Sequence, residues 1–180
     1  MRLDDILYSQ GFGTRRVCAG LIQQGHVTVQ GQPCADAASG FEPDGLAFTV
    51  QGEPWIYQAP AYLMLHKPAG TACSQTPSTW PSIYTLLPGP LRQRPQKGAV
   101  QGVQAVGRLD QDTTGLLLLT DDGKFIHRMS SPRHHVPKVY EVTLKHPLDE
   151  KQVQKLLAGV VLDDDPRPVP AAACEAIGEY

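Results

Sequence analysis

The sequence predicts an α+β protein of two small modules, the second built on a mainly antiparallel sheet. Three observations carry that prediction. The 180 residues suit one medium domain or two small ones, and a linker at Ala59-Pro60-Ala61 divides them into residues 1–59 and 60–180. Apolar residues make up 41% and charged residues 19%, enough for a packed core and too little charge for a disordered chain. Strand-like and helix-like runs are mixed without the βαβ rhythm of a parallel sheet.

In the first module, Leu3, Ile6, Leu7 and Gln10 follow helical spacing until Gly11 and Gly13 break it. Thr14 is placed to N-cap a second helix, Arg15 to Gln24, with Val17, Leu21 and Ile22 on its inner face. Gly25 fits the position after that helix, where positive φ favours glycine. His26 to Val29 alternates as a strand, and Gln30-Gly31 supplies a turn. Residues 33–60 read as small strands closing the module, Leu46 to Val50 among them. Arg15 and Arg16 sit in a first helical turn, where cations oppose the helix dipole; the placement suggests that they have a partner.

In the second module, Tyr62 to Leu65 reads as a buried strand and His66 to Gly70 as a turn. Residues 75–102, rich in Pro, Gly and Gln, read as a long loop with a short helical piece near Ser82–Leu87, and a loop of that length is usually functional or mobile. Val103 to Val106 is a further candidate strand. Gly115 to Thr120 is apolar throughout, as a strand buried on both faces would be. Asp121-Asp122-Gly123 turns into a helix to about Ser130. Lys138 to Leu144 alternates as a strand, and Asp149 caps a helix through Leu157.

The formal net charge is −2, but it is unevenly spread. Residues 61–140 hold nine basic and four acidic side chains, whereas the segments on either side are acidic. A local basic surface is what attracts phosphate. No run of eighteen apolar residues is present, so a membrane span is not expected. The start, Met1-Arg2-Leu3-Asp4-Asp5, lacks the pattern of a signal peptide, so a cytoplasmic protein is expected. Cys18, Cys34, Cys73 and Cys174 show neither CxxC spacing nor a matching histidine pair, and read as incidental thiols.

The densest cluster of chemical groups is Val106-Gly107-Arg108-Leu109-Asp110-Gln111-Asp112-Thr113-Thr114-Gly115, a loop between two apolar strands. In extended backbone Arg108 and Asp110 share a face, with Leu109 opposite. A guanidinium beside a carboxylate keeps it ionised, and an ionised Asp is a nucleophile that needs no cofactor. Spacing alone also fits a turn with a surface ion pair and an Asx cap, and favours that plainer reading. Asp110 with Asp112, or Asp121 with Asp122, also raises paired-carboxylate hydrolysis or metal binding. Arg133, His134, His135 and Lys138 form a local basic surface suited to phosphate, or a solvated loop. Adjacent histidines chelate poorly, so neither a metal nor a cofactor is expected. By physics alone Tyr140 reads as a core-edge aromatic.

At these residues the chain resembles the small-ribosomal-subunit type of pseudouridine synthase. The string Val106 to Gly123 is similar to that family's signature, Tyr62 to Ser74 with its Leu-His-Lys-Pro-Ala-Gly to the preceding strand and turn, and Ser131-Pro-Arg-His-His with Lys138 to Leu144 to the next segment. The first sixty residues, with Arg2-Leu3-Asp4, Thr14-Arg15-Arg16 and Gly25 to Val29, resemble the S-four-type RNA-binding module that precedes this catalytic domain. The resemblance implies that Asp110 is the nucleophile, that Arg108 contacts RNA or fills the space of the flipped base, and that Tyr140 packs on the uracil. It also implies that Arg2, Arg15, Arg16, Lys67, Arg133, His134, His135 and Lys138 contact RNA. A monomer acting on partly assembled small-subunit rRNA is expected. The family continues beyond the point where this chain stops at Tyr180, and a later motif supplies a basic partner for the aspartate. The expectation is a catalytic domain lacking its C-terminal part and poorly active alone. A non-catalytic RNA-binding protein of ribosome assembly, a large-subunit rRNA synthase and a carboxylate hydrolase are the competing readings.

Overall fold

The computed structural model describes residues 1–98, 100–134, 136–163 and 165–178. The chain divides into two compact units, Met1–Val136 and Pro137–Tyr180.

The first unit opens with α1 (Leu3–Gln10) and α2 (Arg15–Gln23). Thr14 caps α2 as expected, its hydroxyl accepting from Val17 N at 3.3 Å. The inner face of α2 is Cys18 and Ile22, one helical turn apart, and not Val17, which is 48% exposed. Burial pushes the Cys18 thiol up to about 11, so it stays protonated and behaves as a small apolar side chain. Strands β1 (Val27–Val29), β2 (Gln32–Pro33), β3 (Ala47–Val50) and β4 (Glu53–Ile56) form an antiparallel sheet in the order β2-β1-β3-β4. The turns Gln30-Gly31 and Gln51-Gly52 have positive φ at both residues (49° and 80°, 52° and 85°), the geometry that two-residue hairpins demand. Leu3, Ile6, Leu7, Ile22, Val27, Phe48 and Val50 close the core between helices and sheet.

The same unit continues with β5 (Tyr62–Lys67), α3 (Gly89–Gln93), β6 (Gln104–Ala105), β7 (Gly115–Thr120) and α4 (Gly123–Ser130). The sheet is antiparallel in the order β5-β7-β6, with Leu63 opposite Leu119 and Leu65 opposite Leu117. β7 is buried on one face only: Leu117 and Leu119 are inside, while Leu116 is 65% exposed. A continuous apolar run does not report which face is covered. Residues 75–102 hold the short helical piece expected near Ser82–Leu87, and a further helix besides. They carry a 3₁₀ turn at Ile83–Leu86 and α3, and Ile83 and Leu91 join Val103, Leu117 and Leu119 in a second core. Trp55 packs against both cores. No helix among the described residues is long and apolar enough to cross a membrane.

The second unit holds α5 (Glu150–Ala158) and the hairpin β8 (Val160–Leu162) with β9 (Asp165–Val169). Asp149 caps α5 in a reciprocal capping box with Gln152. Lys138 to Leu144, expected as a strand, belongs to none. Alternation specifies two faces but supplies no ladder partner, and here Val139, Tyr140 and Val142 are 94%, 77% and 67% exposed.

Candidate active site

Asp110 lies where β7 is entered, on a loop whose backbone is fastened from beneath. The turn closes on itself through Thr113 N donating to Asp110 O at 3.1 Å. Gln111 O accepts from Gly70 N at 2.7 Å, joining this loop to the turn after β5. Under both turns sits the Lys67 ammonium, fully buried, donating to the carbonyls of Thr113 (2.9 Å), Pro68 (3.2 Å) and Gln111 (3.4 Å). Its three donors match three carbonyl dipoles, and among the described residues it forms no ion pair. Lys67 was expected to contact RNA phosphate; its burial gives it a different task, holding the two turns together.

Arg108 and Asp110 are both exposed, and Leu109 between them packs against the second core, so the predicted alternation of faces is present. The predicted ion pair is not. Among the described residues the ion pairs are Arg2–Asp4, Arg15–Asp5 and Arg94–Asp121. Solvated side chains on an open loop gain little by pairing. Asp110 thus presents an unpaired carboxylate, and Arg108 a free guanidinium, on one rigid support.

The other predicted residues are scattered. Arg2 grips Asp4 through two hydrogen bonds of 3.0 and 2.8 Å and holds that carboxyl below the usual carboxylate range. Arg15 pairs with Asp5 and lies over the Tyr8 ring at 4.4 Å, so its partner is internal. Arg16 is exposed with no partner among the described residues. Arg133 and His134 are exposed on a 3₁₀ turn after α4, where the His134 ring meets His127 edge-on at 5.4 Å. His135 lies outside the described residues. Lys138 and Tyr140 are exposed and belong to the second compact unit. Among the described residues no cluster of three or more His, Cys, Asp or Glu side chains is placed to hold a metal.

An exposed aspartate thus stands on a pinned loop between paired strands, and comparison with known proteins names the fold that carries it. Residues 61–169 match RNA pseudouridylate synthase, and residues 1–43 match the S4 domain. The chain belongs to the RNA pseudouridylate synthase family. It is similar to the uncharacterized RNA pseudouridine synthase YtzG of Bacillus subtilis (strain 168), 37% identical over 174 residues, 96% of this chain and 70% of that protein. It is likewise similar to ribosomal small subunit pseudouridine synthase A of Pasteurella multocida (strain Pm70), 36% identical over 181 residues, covering 100% and 74%. The protein of the same name from Escherichia coli (strain K12) is 37% identical over 179 residues, covering 98% and 73%. A crystal structure of pseudouridylate synthase matches with a TM-score of 0.54 at 31% identity, over all of this chain and 74% of that one. The enzyme is an RNA pseudouridine synthase, an isomerase, with an S4 domain ahead of its catalytic fold.

Sequence reasoning missed one polar centre of this synthase. Arg94, 2% exposed, donates to Asp121 Oδ2 (2.8 Å), Gln10 Oε1 (2.6 Å) and Gln58 O (2.7 Å). Gln10, fully buried on α1, also accepts from Trp55 Nε1 (3.2 Å) and Gln58 N (3.1 Å). Asp121 Oδ1 accepts from Ala61 N at 2.7 Å. The only signal in the sequence was Gln10, a polar residue on an otherwise apolar helical stripe.

Proposed function

We propose that this synthase converts a uridine of small-subunit ribosomal RNA to pseudouridine, with Asp110 as nucleophile. The observation that carries the reading is the exposed Asp110 carboxylate on a loop clamped by buried Lys67. The name shared by the Pasteurella and Escherichia relatives supports the small-subunit substrate.

The target base must leave its stack to be reached, which costs a few kcal/mol that an inserted side chain offsets; Arg108, beside Asp110 and unpaired, fills that role. The carboxylate attacks ribose C1′ as the N1–C1′ bond breaks, leaving a glycosyl ester and a uracil anion. The uracil turns, C5 bonds to C1′ and Asp110 departs. Loss of the C5 proton, with a proton gained at N1, restores the aromatic base. Tyr140 packs on the uracil. Arg16, Arg133, His134, His135 and Lys138 contact RNA phosphates, and Arg2 and Arg15 do so only by sharing or releasing their internal carboxylates. No step requires a cofactor. The division of labour follows residues 1–59 for RNA binding and 60–180 for catalysis.

The test incubates the chain with partly assembled small-subunit RNA and maps pseudouridine by carbodiimide-blocked reverse transcription. A single stop that disappears in Asp110→Asn, with RNA binding retained, supports the assignment. An active Asp110→Asn protein overturns the nucleophile, and RNA binding without any stop favours a binding protein.

A further inference from the structure

Within Met1–Val136 the S4 domain meets the catalytic sheet through the Arg94 centre and not through apolar contact alone. Arg94 reaches Gln10 and Gln58 on one side and Asp121 on the other. Asp121 follows β7 directly, and β7 begins just after the Asp110 loop. The strand therefore carries the loop at one end and the domain contact at the other, about 17 Å apart at the usual rise per residue. The backbone fits closely at this seam: a Cβ on Gly11, after α1, would sit 2.1 Å from Pro90 O on α3 and 2.9 Å from Arg94 N.

A buried ion pair is a weak source of stability, since desolvation offsets most of the attraction. Arg94 Nε is buried without a partner, which weakens the energetic case further. What such a centre supplies is direction. Apolar surfaces slide, whereas a guanidinium with fixed acceptors on both sides accepts one register. Interfaces between domains of one chain are mobile unless something opposes it.

We propose that Gln10, Arg94 and Asp121 lock the S4 domain to the strand bearing the Asp110 loop, so that the synthase chooses its uridine by distance from the RNA held on the S4 domain. This rests on the reaction proposed above, with Arg94 a positioning residue that touches no substrate. The RNA class it selects for is one in which a structured element lies at a set distance from the target uridine.

Two variants, Arg94→Met and Gln10→Leu, test it in the full chain; the second keeps the Arg94–Asp121 pair in case the first does not fold. Limited proteolysis reads the lock directly. Cleavage in the linker between Gln58 and Ala61 should rise about tenfold in the variants, and Arg94→Lys should restore part of the protection. Pseudouridine mapping reads the consequence: kcat at the main uridine within about twofold of wild type, KM raised about tenfold, and new stops at nearby uridines. A linker as protected in both variants as in wild type overturns the lock. A single unchanged stop with unchanged KM, in variants whose linker is freely cut, overturns its role in selection. Absence of pseudouridine from wild type overturns the proposed reaction instead, while proteolysis still decides the lock.

Discussion

The Lys67 ammonium lies 2.9 Å from the Thr113 carbonyl, and through that bond a buried charge fixes the turn that displays Asp110. Hydrogen bonds to a charged group contribute about 1.5–3 kcal/mol, and stranded buried acceptors add to the loss. Lys67→Met should therefore lower unfolding free energy by roughly 3 kcal/mol, read by urea denaturation. It should also lower kcat far more than it weakens RNA binding, because it releases the loop and removes no surface cation. Weakened RNA binding with kcat preserved would show that Lys67 works as a phosphate contact after all.

Asp110 itself makes no side-chain hydrogen bond among the described residues and is exposed. Asp110→Asn should thus leave stability within about 0.5 kcal/mol of wild type, the range of neutral surface changes. Loss of activity together with an unchanged melting curve separates a chemical role from a structural one.

The contrast between these two residues shows what could be read from the sequence. The placement of Asp110 was legible because its neighbours state its context: two apolar strands around a polar loop. The helices α1, α2, α4 and α5 were legible from periodicity and from Thr14, Asp122 and Asp149 at their starts. Lys67 was expected to contact RNA because the resemblance implies it, and only three-dimensional pairing brings the carbonyls of residues 68, 111 and 113 around one ammonium. Arg94 was hidden in the same way, since its partners are 84, 36 and 27 residues away. In residues 75–102 the helical piece near Ser82–Leu87 was legible, but α3 was not, because Pro and Gly mask the few apolar side chains that enter the core.

Asp122 links the sheet to α4: its Oδ1 accepts from Lys124 N (2.9 Å) and Phe125 N (3.1 Å), and its Oδ2 from the Tyr62 hydroxyl (2.7 Å). The Tyr62 hydrogen bond, then the cap, lowers the Asp122 carboxyl below its usual value. A depressed carboxylate contributes stability above its unfolded pKa of about 3.9 and loses it as pH falls through the folded value. Carboxyl NMR should find Asp122 still ionised where free aspartate is half protonated. Asp122→Ala should melt lower than wild type at pH 7, and the gap should close in acid. A gap independent of pH would mean that the carboxylate charge is irrelevant to the cap.

Two glycines of the S4 domain should respond oppositely to the same added methyl. Gly20 lies inside α2 with an ordinary φ, and a methyl added there would meet nothing within 4 Å, so Gly20→Ala adds helix propensity without a clash. It should raise stability by about 0.5–1 kcal/mol. Gly11 has φ of 91°, and its added Cβ would meet the Pro90 carbonyl. Gly11→Ala should destabilise by at least about 1–2 kcal/mol from the left-handed backbone alone, and more as α1 and α3 separate. Differential scanning calorimetry on the pair reads the sign directly. A neutral Gly11→Ala would mean that α1 does not press on α3 in solution, and that the close fit around Arg94 is looser than its distances indicate.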